Sequence, residues 1–312
     1  MVEATEATRT GLVKMTWLVL GGNGQLGNAL CLVLSQNGIE HQSWGFEDLD
    51  IRSTLRCNQL ISALAPTVII NAAAWTDVDG AETNPTGAYL VNVFGAQNLA
   101  VAAKSVGAVF AHISTDYVFS GQSIRPWGED ELRSPISVYG ATKAAGEIAV
   151  LNEFGESSYI FRTAWLYSQW GKNFVKTMVY RAIGSNDQVK VVNDQIGQPT
   201  FALDLANQIV NSILAGIPFG IYHATNSGQA SWFELAREVF DSCGVPISRV
   251  EPVSSNEFVH LASRPIYSVL GHGKWEHIPD SQNRKVEAMR SWKFAIREAI
   301  PKIMSTVVNE RY

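Results

Sequence analysis

The chain has 312 residues, 46% of them hydrophobic and 17% charged, with a formal net charge of −5. That is enough chain for one large α/β domain or up to two ordinary ones around a sizeable core, and the mild acidity argues against nucleic acid or an anionic membrane as the partner. No apolar run reaches membrane-spanning length and the N-terminus has no signal-peptide core, so the expected location is cytoplasmic. Cys31, Cys57 and Cys243 lack metal-ligand spacing and cannot all pair, which reads as free thiols in a reducing compartment. Residues Met1–Lys14 are polar and rich in threonine and glutamate; they read as a flexible extension, with Met15 an alternative start. Thr16–Leu20 is a short apolar strand running directly into Gly21-Gly22-Asn23-Gly24-Gln25-Leu26-Gly27. Leu26, Leu30, Val33 and Leu34 then keep helical spacing until Gly38 stops it.

Val68–Asn71 predicts a second strand, entered after Pro66. A helical pattern over Val93–Val106 leads into a third, Val109–Ser114. A helix carrying Tyr139 and Lys143 precedes a fourth, Tyr159–Arg162. Apolar strands alternating with helices predict an α/β fold, a Rossmann-type doubly wound parallel sheet covered on both faces. Beyond Trp165 the pattern loosens. Ile221–Ala224 reads as a return to the sheet, Trp232–Cys243 as an amphipathic helix, and Gln195–Thr200 and Ser263–Gly273 as loops. With no linker-like break, the expected organisation is a dinucleotide-binding domain over residues 15–165, with a return near 201–225. A smaller interleaved C-terminal substrate domain takes 166–200 and 226–312.

Gly21-x-x-Gly24-x-x-Gly27 sits where a dinucleotide site needs it, after a strand and at the opening of a helix. Absent side chains let the backbone approach a pyrophosphate, and the helix start offers N–H groups. Gly21, Asn23, Gly24, Gln25 and Leu26 are the expected contacts. Ala72, Ala73 and Ala74 place small residues where a second loop passes the cofactor. Asp50 and Ile51 are candidates for the adenine, with a surface turn as the other reading of Asp50. The segment Trp44–Glu47 brings neither an arginine nor an early acidic residue to the adenosine ribose, so NADH and NADPH stay open.

Tyr139-Gly140-Ala141-Thr142-Lys143 puts a phenol and an ammonium on one face of a helix. Such a pair reads as a proton donor whose pKa is pulled down by the neighbouring charge. Together with the glycine loop and Ser114-Thr115-Asp116-Tyr117, it points to hydride transfer at a carbonyl. These motifs resemble the extended short-chain dehydrogenase/reductase family. Within it, Asn71–Glu82, Ser114–Gly121, Tyr139–Glu147, Arg162–Tyr167, Asp194–Thr200 and Arg264–Leu270 resemble the dTDP-4-dehydrorhamnose reductase (RmlD) branch.

The resemblance implies NADPH- or NADH-dependent reduction of the C4 ketone of a nucleotide-linked 6-deoxy-4-keto sugar. Tyr139 gives the proton, Lys143 holds the nicotinamide ribose and lowers the tyrosine pKa, and Thr115 bonds the developing oxyanion. Tyr117 stands where related dehydratases carry a glutamate, which favours simple reduction, and it is expected beside the sugar. Thr76 and Val78 are expected to face the sugar. Trp165 is either a wall of the sugar pocket or a core aromatic, and Asn173 either a substrate contact or a helix N-cap. Asp194–Thr200, with Gln198, either lines the substrate side or makes a structural turn. Arg264 pairs either with a diphosphate or with a surface carboxylate. His112 reads as a satisfied core histidine and Glu129-Asp130-Glu131 as a solvated loop, and no metal site is expected. Reduction or epimerisation of another nucleotide sugar, and a non-catalytic regulatory subunit like those of methionine adenosyltransferase, stay open, as does a homodimer.

Overall fold

A computed structural model of the chain describes residues 16–279 and 285–310; the extension expected over 1–14 lies outside them. The described residues build a central sheet of six parallel strands: β1 (Trp17–Leu20), β2 (His41–Trp44), β3 (Val68–Asn71), β4 (Val109–Thr115), β5 (Ser158–Thr163) and β6 (Gly220–His223). Their order across the sheet is β2-β1-β3-β4-β5-β6. The chain leaves β1 in one direction to form β2 and returns on its other side to form β3. The switch point between them opens a crevice at the carboxyl ends of the strands.

Alternate residues of the strands serve two cores, as a pleat requires. Val19, Ile70, Ala111 and Phe161 face one, Leu18, Ile69, Phe110 and Ile160 the other. The first core is closed by α1 (Gln25–Gln36), through Leu26, Leu30, Val33 and Leu34, and by residues of the helix Ala202–Ala215. The second is closed by α2 (Thr54–Leu64), α3 (Ala96–Val106) and α4 (Val138–Phe154). Ser137 caps α4 by accepting from Gly140 N.

The helix expected from Val93 begins three residues later. A π-helical turn, Leu90–Gly95, precedes α3. Its widened turn carries the side chain of Asn92 inwards, where it bonds both backbone polar groups of Trp75 and the Thr142 hydroxyl. Gly95 permits the close approach, since a Cβ there would lie 2.6 Å from Ile51 Cδ1.

The second half adds α5 (Phe174–Gly184), α6 (Ala202–Ala215), α7 (Trp232–Ser242) and α8 (Trp292–Asn309). Three small two-stranded sheets accompany them. Two strand pieces, Ile196–Gly197 and Thr200–Phe201, lie in the segment expected to be a loop; they pair with Ala230–Ser231 and Leu166–Tyr167. The fold is therefore α/β, a Rossmann-type doubly wound sheet with smaller C-terminal sheets. Among the described residues no helix is long and apolar enough to cross a membrane.

Candidate active site

A cavity of about 830 Å³ lies at the carboxyl ends of β1, β3, β4 and β5. Gly21, Asn23, Gly24, Gln25 and Leu26 line it, together with Asp50, Ile51, Ala72, Ala73 and Ala74. Gly21 has φ +77, and a Cβ on it would lie 2.6 Å from Ala73 N, so the two loops meet backbone to backbone. Gly24 caps α1 without a side-chain bond, which leaves the first-turn N–H groups free of a cap. Gln25 Oε1 accepts from Ser168 Oγ at 3.0 Å and from Asn173 Nδ2 at 2.9 Å, tying the glycine loop to the second half. Asp50 is held by Arg52 through a fork of bonds at 2.7 to 3.1 Å, which keeps its carboxyl below the usual range. The Arg52 guanidinium lies over the Phe46 ring, 5.6 Å from its centroid.

Thr115, Tyr139 and Lys143 line the same cavity. Thr115 ends β4; its hydroxyl donates to Asp116 Oδ1 at 2.9 Å and accepts from Tyr117 N at 3.2 Å. Tyr139 and Lys143 both stand on α4. The Tyr117 ring meets Tyr139 edge to face at 5.5 Å. Burial pushes the Tyr139 phenol up to about 12; the hydrogen bond to Thr115 works against the rise and the Asp116 charge with it. The expected lowering by Lys143 is thus not what the protein's own groups produce. Burial wins, and Lys143 Nζ is turned to the carbonyl of Ile113 at 2.6 Å and to His112 Nε2 at 3.3 Å. Burial pulls the lysine down to about 8, against the nearby Glu147 carboxylate. Asp116 is 2% exposed and its Oδ2 has no partner; burial raises its carboxyl to about 6.

Thr76, Val78, Tyr117, Trp165 and Asn173 line the same cavity. Trp165 has φ +44, an uncommon backbone for an indole, and stacks on Trp232 with centroids 3.5 Å apart and planes 8° from parallel. Asn173 serves two purposes at once: Oδ1 caps α5 by accepting from Lys176 N, and Nδ2 reaches Gln25. Gln198 and Arg264 are not brought to the cavity lining. Gln198 closes a pair of bonds with Leu270 N and O, which uses up its amide inside the protein. Arg264 forks onto Asp79 at 2.7 and 3.2 Å, so the guanidinium is already neutralised and holds Asp79 down to about 2. The Asp194–Thr200 segment supports the wall from behind, because a Cβ on Gly197 would lie 2.5 Å from Trp165 Cε2. Glu129 corrects the solvated-loop reading of its segment: it is 8% exposed, and its carbonyl accepts from Arg162.

Residues 15–304 match the protein family described as the RmlD substrate binding domain. The chain is 43% identical over 289 residues to dTDP-4-dehydrorhamnose reductase of Streptomyces griseus, covering 91% of this chain and 93% of that one. It is 40% identical over 285 residues to dTDP-4-keto-6-deoxy-D-glucose reductase of Streptomyces niveus, covering 91% and 96%. The solved structure of dTDP-4-dehydrorhamnose reductase from Bacillus anthracis, in complex with NADP, matches with a TM-score of 0.85 at 37% identity, covering 93% of this chain and 100% of that one. The chain belongs to the RmlD family.

In this RmlD-family chain, sequence reasoning missed Asn71, Asn92, Asp116 and Trp232, and it set His112 aside. Asn71 and His112 are partners in register on β3 and β4, and no pattern along one strand reveals that pairing. Asn92 hides in the π-helical turn. Trp232 opens an amphipathic helix and turns to the cavity, as Leu235 does. Asp116 carried a readable signal, an acid directly after a catalytic-type threonine. Among the described residues no group of three or more His, Cys, Asp or Glu side chains is placed to hold a metal ion.

Proposed function

We propose that this chain reduces the C4 ketone of dTDP-4-dehydro-L-rhamnose to give dTDP-L-rhamnose, using NADPH or NADH. What supports the reading above all is the meeting of Thr115, Tyr139 and Lys143 in one cavity with the glycine loop and Trp165. The loop fits a dinucleotide: Gly21 leaves no Cβ between it and Ala73, and the start of α1 is uncapped. The NADP complex of the Bacillus anthracis relative favours NADPH.

Bound there, a reduced nicotinamide supplies the hydride. The protein supplies the proton and the placement. Tyr139, raised by burial, stays protonated at neutral pH, as an acid must until the C4 oxygen gains charge. Thr115 lies beside it; its one hydrogen goes to Asp116 Oδ1 at 2.9 Å, and turning from Asp116 to the C4 oxygen would let it hold the same oxygen. Lys143 brings its ammonium to the nicotinamide ribose. Trp165 and Trp232, stacked on each other, offer the sugar an aromatic wall. By the family resemblance Tyr117 takes the position of a dehydratase's glutamate, which favours reduction over dehydration.

A second reading takes dTDP-4-keto-6-deoxy-D-glucose as the substrate; it is favoured by the nearly equal identity to the Streptomyces niveus enzyme. Following loss of the reduced-nicotinamide absorbance with each ketosugar, in NADPH and NADH, separates the two. Tyr139→Phe is expected to bind NADPH as before and to lose about 10²–10⁴-fold in kcat. Unchanged turnover in that variant would end the assignment, and oxidation with only the second sugar would transfer it.

A further inference from the structure

His112 is 1% exposed, as a core histidine should be, yet both ring nitrogens meet side chains, one of them the cavity-lining Lys143. Asn71 Nδ2 lies 3.0 Å from His112 Nδ1, and Lys143 Nζ lies 3.3 Å from Nε2. The three side chains form one buried row, with Asn71 at 1% and Lys143 at 2% exposure.

The protons of that row follow from its far end. Ala73 N lies 3.1 Å from Asn71 Oδ1, and a backbone N–H can only donate, so the amide oxygen faces Ala73. The amide nitrogen then faces His112, and it too can only donate. His112 Nδ1 must accept and carries no hydrogen. Burial, and next the Lys143 charge, keep the imidazole neutral by holding its pKa well below the usual histidine value. A neutral imidazole has one hydrogen, which is therefore on Nε2 and points at Lys143 Nζ. Two donors do not bond each other. The contact is favourable only when Nζ offers a lone pair, as a neutral amine does, while one of its own hydrogens goes to the Ile113 carbonyl at 2.6 Å.

We propose that His112 is a positioning residue for Lys143: locked by Asn71 into the Nε2–H tautomer, it donates to Nζ and stabilises the neutral amine, lowering the lysine's hold on its proton. The groups that face Lys143 divide cleanly. Glu147, one turn along α4, favours the charge. Tyr139, one turn before it, and Asp116, past the end of β4, stand at the cavity. Asn71 and Asn92 are neutral. The Glu147 carboxylate is itself taken up by Arg162 and Arg133, so His112 is the group in direct contact that opposes the ammonium. Gly146 makes the approach of α4 feasible, since a Cβ there would lie 2.2 Å from Asn92 O and 3.8 Å from His112 Nε2.

The role of Lys143 in turnover rests on the reductase reading; the tautomer does not. In protein carrying ¹⁵N-labelled histidine, the nitrogen shifts of the resonance missing from His112→Phe report the tautomer directly. The expected result is hydrogen on Nε2 and a bare Nδ1; hydrogen on Nδ1 overturns the proposal whatever the enzyme's activity. The alkaline limb of kcat/KM, expected near the lysine value of about 8, should move up by about one pH unit in His112→Phe. His112→Gln, whose amide nitrogen can stand where Nε2 stood, should leave the limb in place. Equal limbs in folded wild type, Phe and Gln proteins refute the tuning. If His112→Phe does not fold, Asn71→Asp decides: a carboxylate accepts from both neighbours, so it should move the ring hydrogen to Nδ1 and raise the limb. Absence of NADPH binding or oxidation in the wild type would count against the reductase reading and leave the tautomer result standing.

Discussion

Lys143 and Glu147 lie one turn apart on α4, both buried, and the protein treats their charges in opposite ways. Glu147 is saturated. Its carboxylate takes bonds from Arg162 Nε and Nη2 at 2.8 Å, from Arg133 Nε at 2.6 Å and from the Ser114 hydroxyl at 2.5 Å. Burial pushes its pKa up, but the bonds and charge of Arg162, then Ser114 and Arg133, outweigh it and hold the carboxyl low. Lys143 has no carboxylate within bonding distance; a carbonyl and a neutral ring are its partners. A buried charge that is fully paired is a fixed part of the frame, and one that is left half-paired keeps a proton affinity that can be tuned. The Glu147 side pins β4 to β5 below the site; the Lys143 side faces the cavity and is left free to work.

The largest effect should come from breaking the saturated side. Glu147→Ala leaves Arg162, itself 0% exposed, without its counter-charge. It should cost about 3–5 kcal/mol in stability, read as a fall in the urea unfolding midpoint. Lys143→Met removes an underpaired charge and fills the same space, so its stability should stay within about 1 kcal/mol of wild type while turnover is lost. Equal losses of stability in the two variants would erase the distinction between frame and tool.

Next in size is the wall made by Trp165, which the proposed function gives to the sugar. Gly197→Ala sets a methyl 2.5 Å from the Trp165 ring, which must leave its stack on Trp232. The overpacking should cost about 1–3 kcal/mol, and KM for the nucleotide sugar should rise while NADPH affinity holds. A variant with unaltered KM would mean that the Trp165 stack is not part of the sugar wall.

How much of this could be read in the sequence follows from the physics of each part. β1, β3 and β5 are buried on both faces, so they appear as continuous apolar runs, and their positions were legible within a residue. The glycine loop and the Tyr139–Lys143 pair stood out because steric and helical constraints tie those residue types to local spacing, whereas Thr115 was named through the family resemblance; Gly21, Gly24, Thr115, Tyr139 and Lys143 all line the cavity. Side chains whose partners come from distant elements were not. Nothing local tells that Arg264 meets Asp79, or that Gln198 turns inwards to Leu270. The π-helical turn at Leu90–Gly95 meets Ile51 at Gly95 and bonds Trp75 through Asn92, partners that local spacing does not reveal. His112 looked inert because its chemistry depends on strand register: only the pairing with Asn71 fixes which nitrogen carries the hydrogen.

The smallest expected effect sharpens the contrast without any substrate. Lys143 has an ordinary value of 10.5 when unfolded and about 8 in the fold. Between these values the unfolded chain binds a proton that the folded chain does not, so this residue makes stability rise with pH from about 8 upwards. The slope is at most on the order of 1 kcal/mol per pH unit. Glu147 has the opposite window, since a lowered carboxyl gives stability above its unfolded value of 4.5 that is lost only as acid is added below it. The raised thiols of Cys57 and Cys243, at about 11, lose stability as pH climbs past 9, and the raised tyrosines do so past 10. Those terms are common to wild type and Lys143→Met, and subtracting the two urea midpoints across pH 8 to 10 removes them. The difference should grow in favour of the wild type as pH rises. A flat difference would mean that Lys143 keeps an ordinary lysine's proton, and the half-paired side of α4 would then be as fixed as the saturated one.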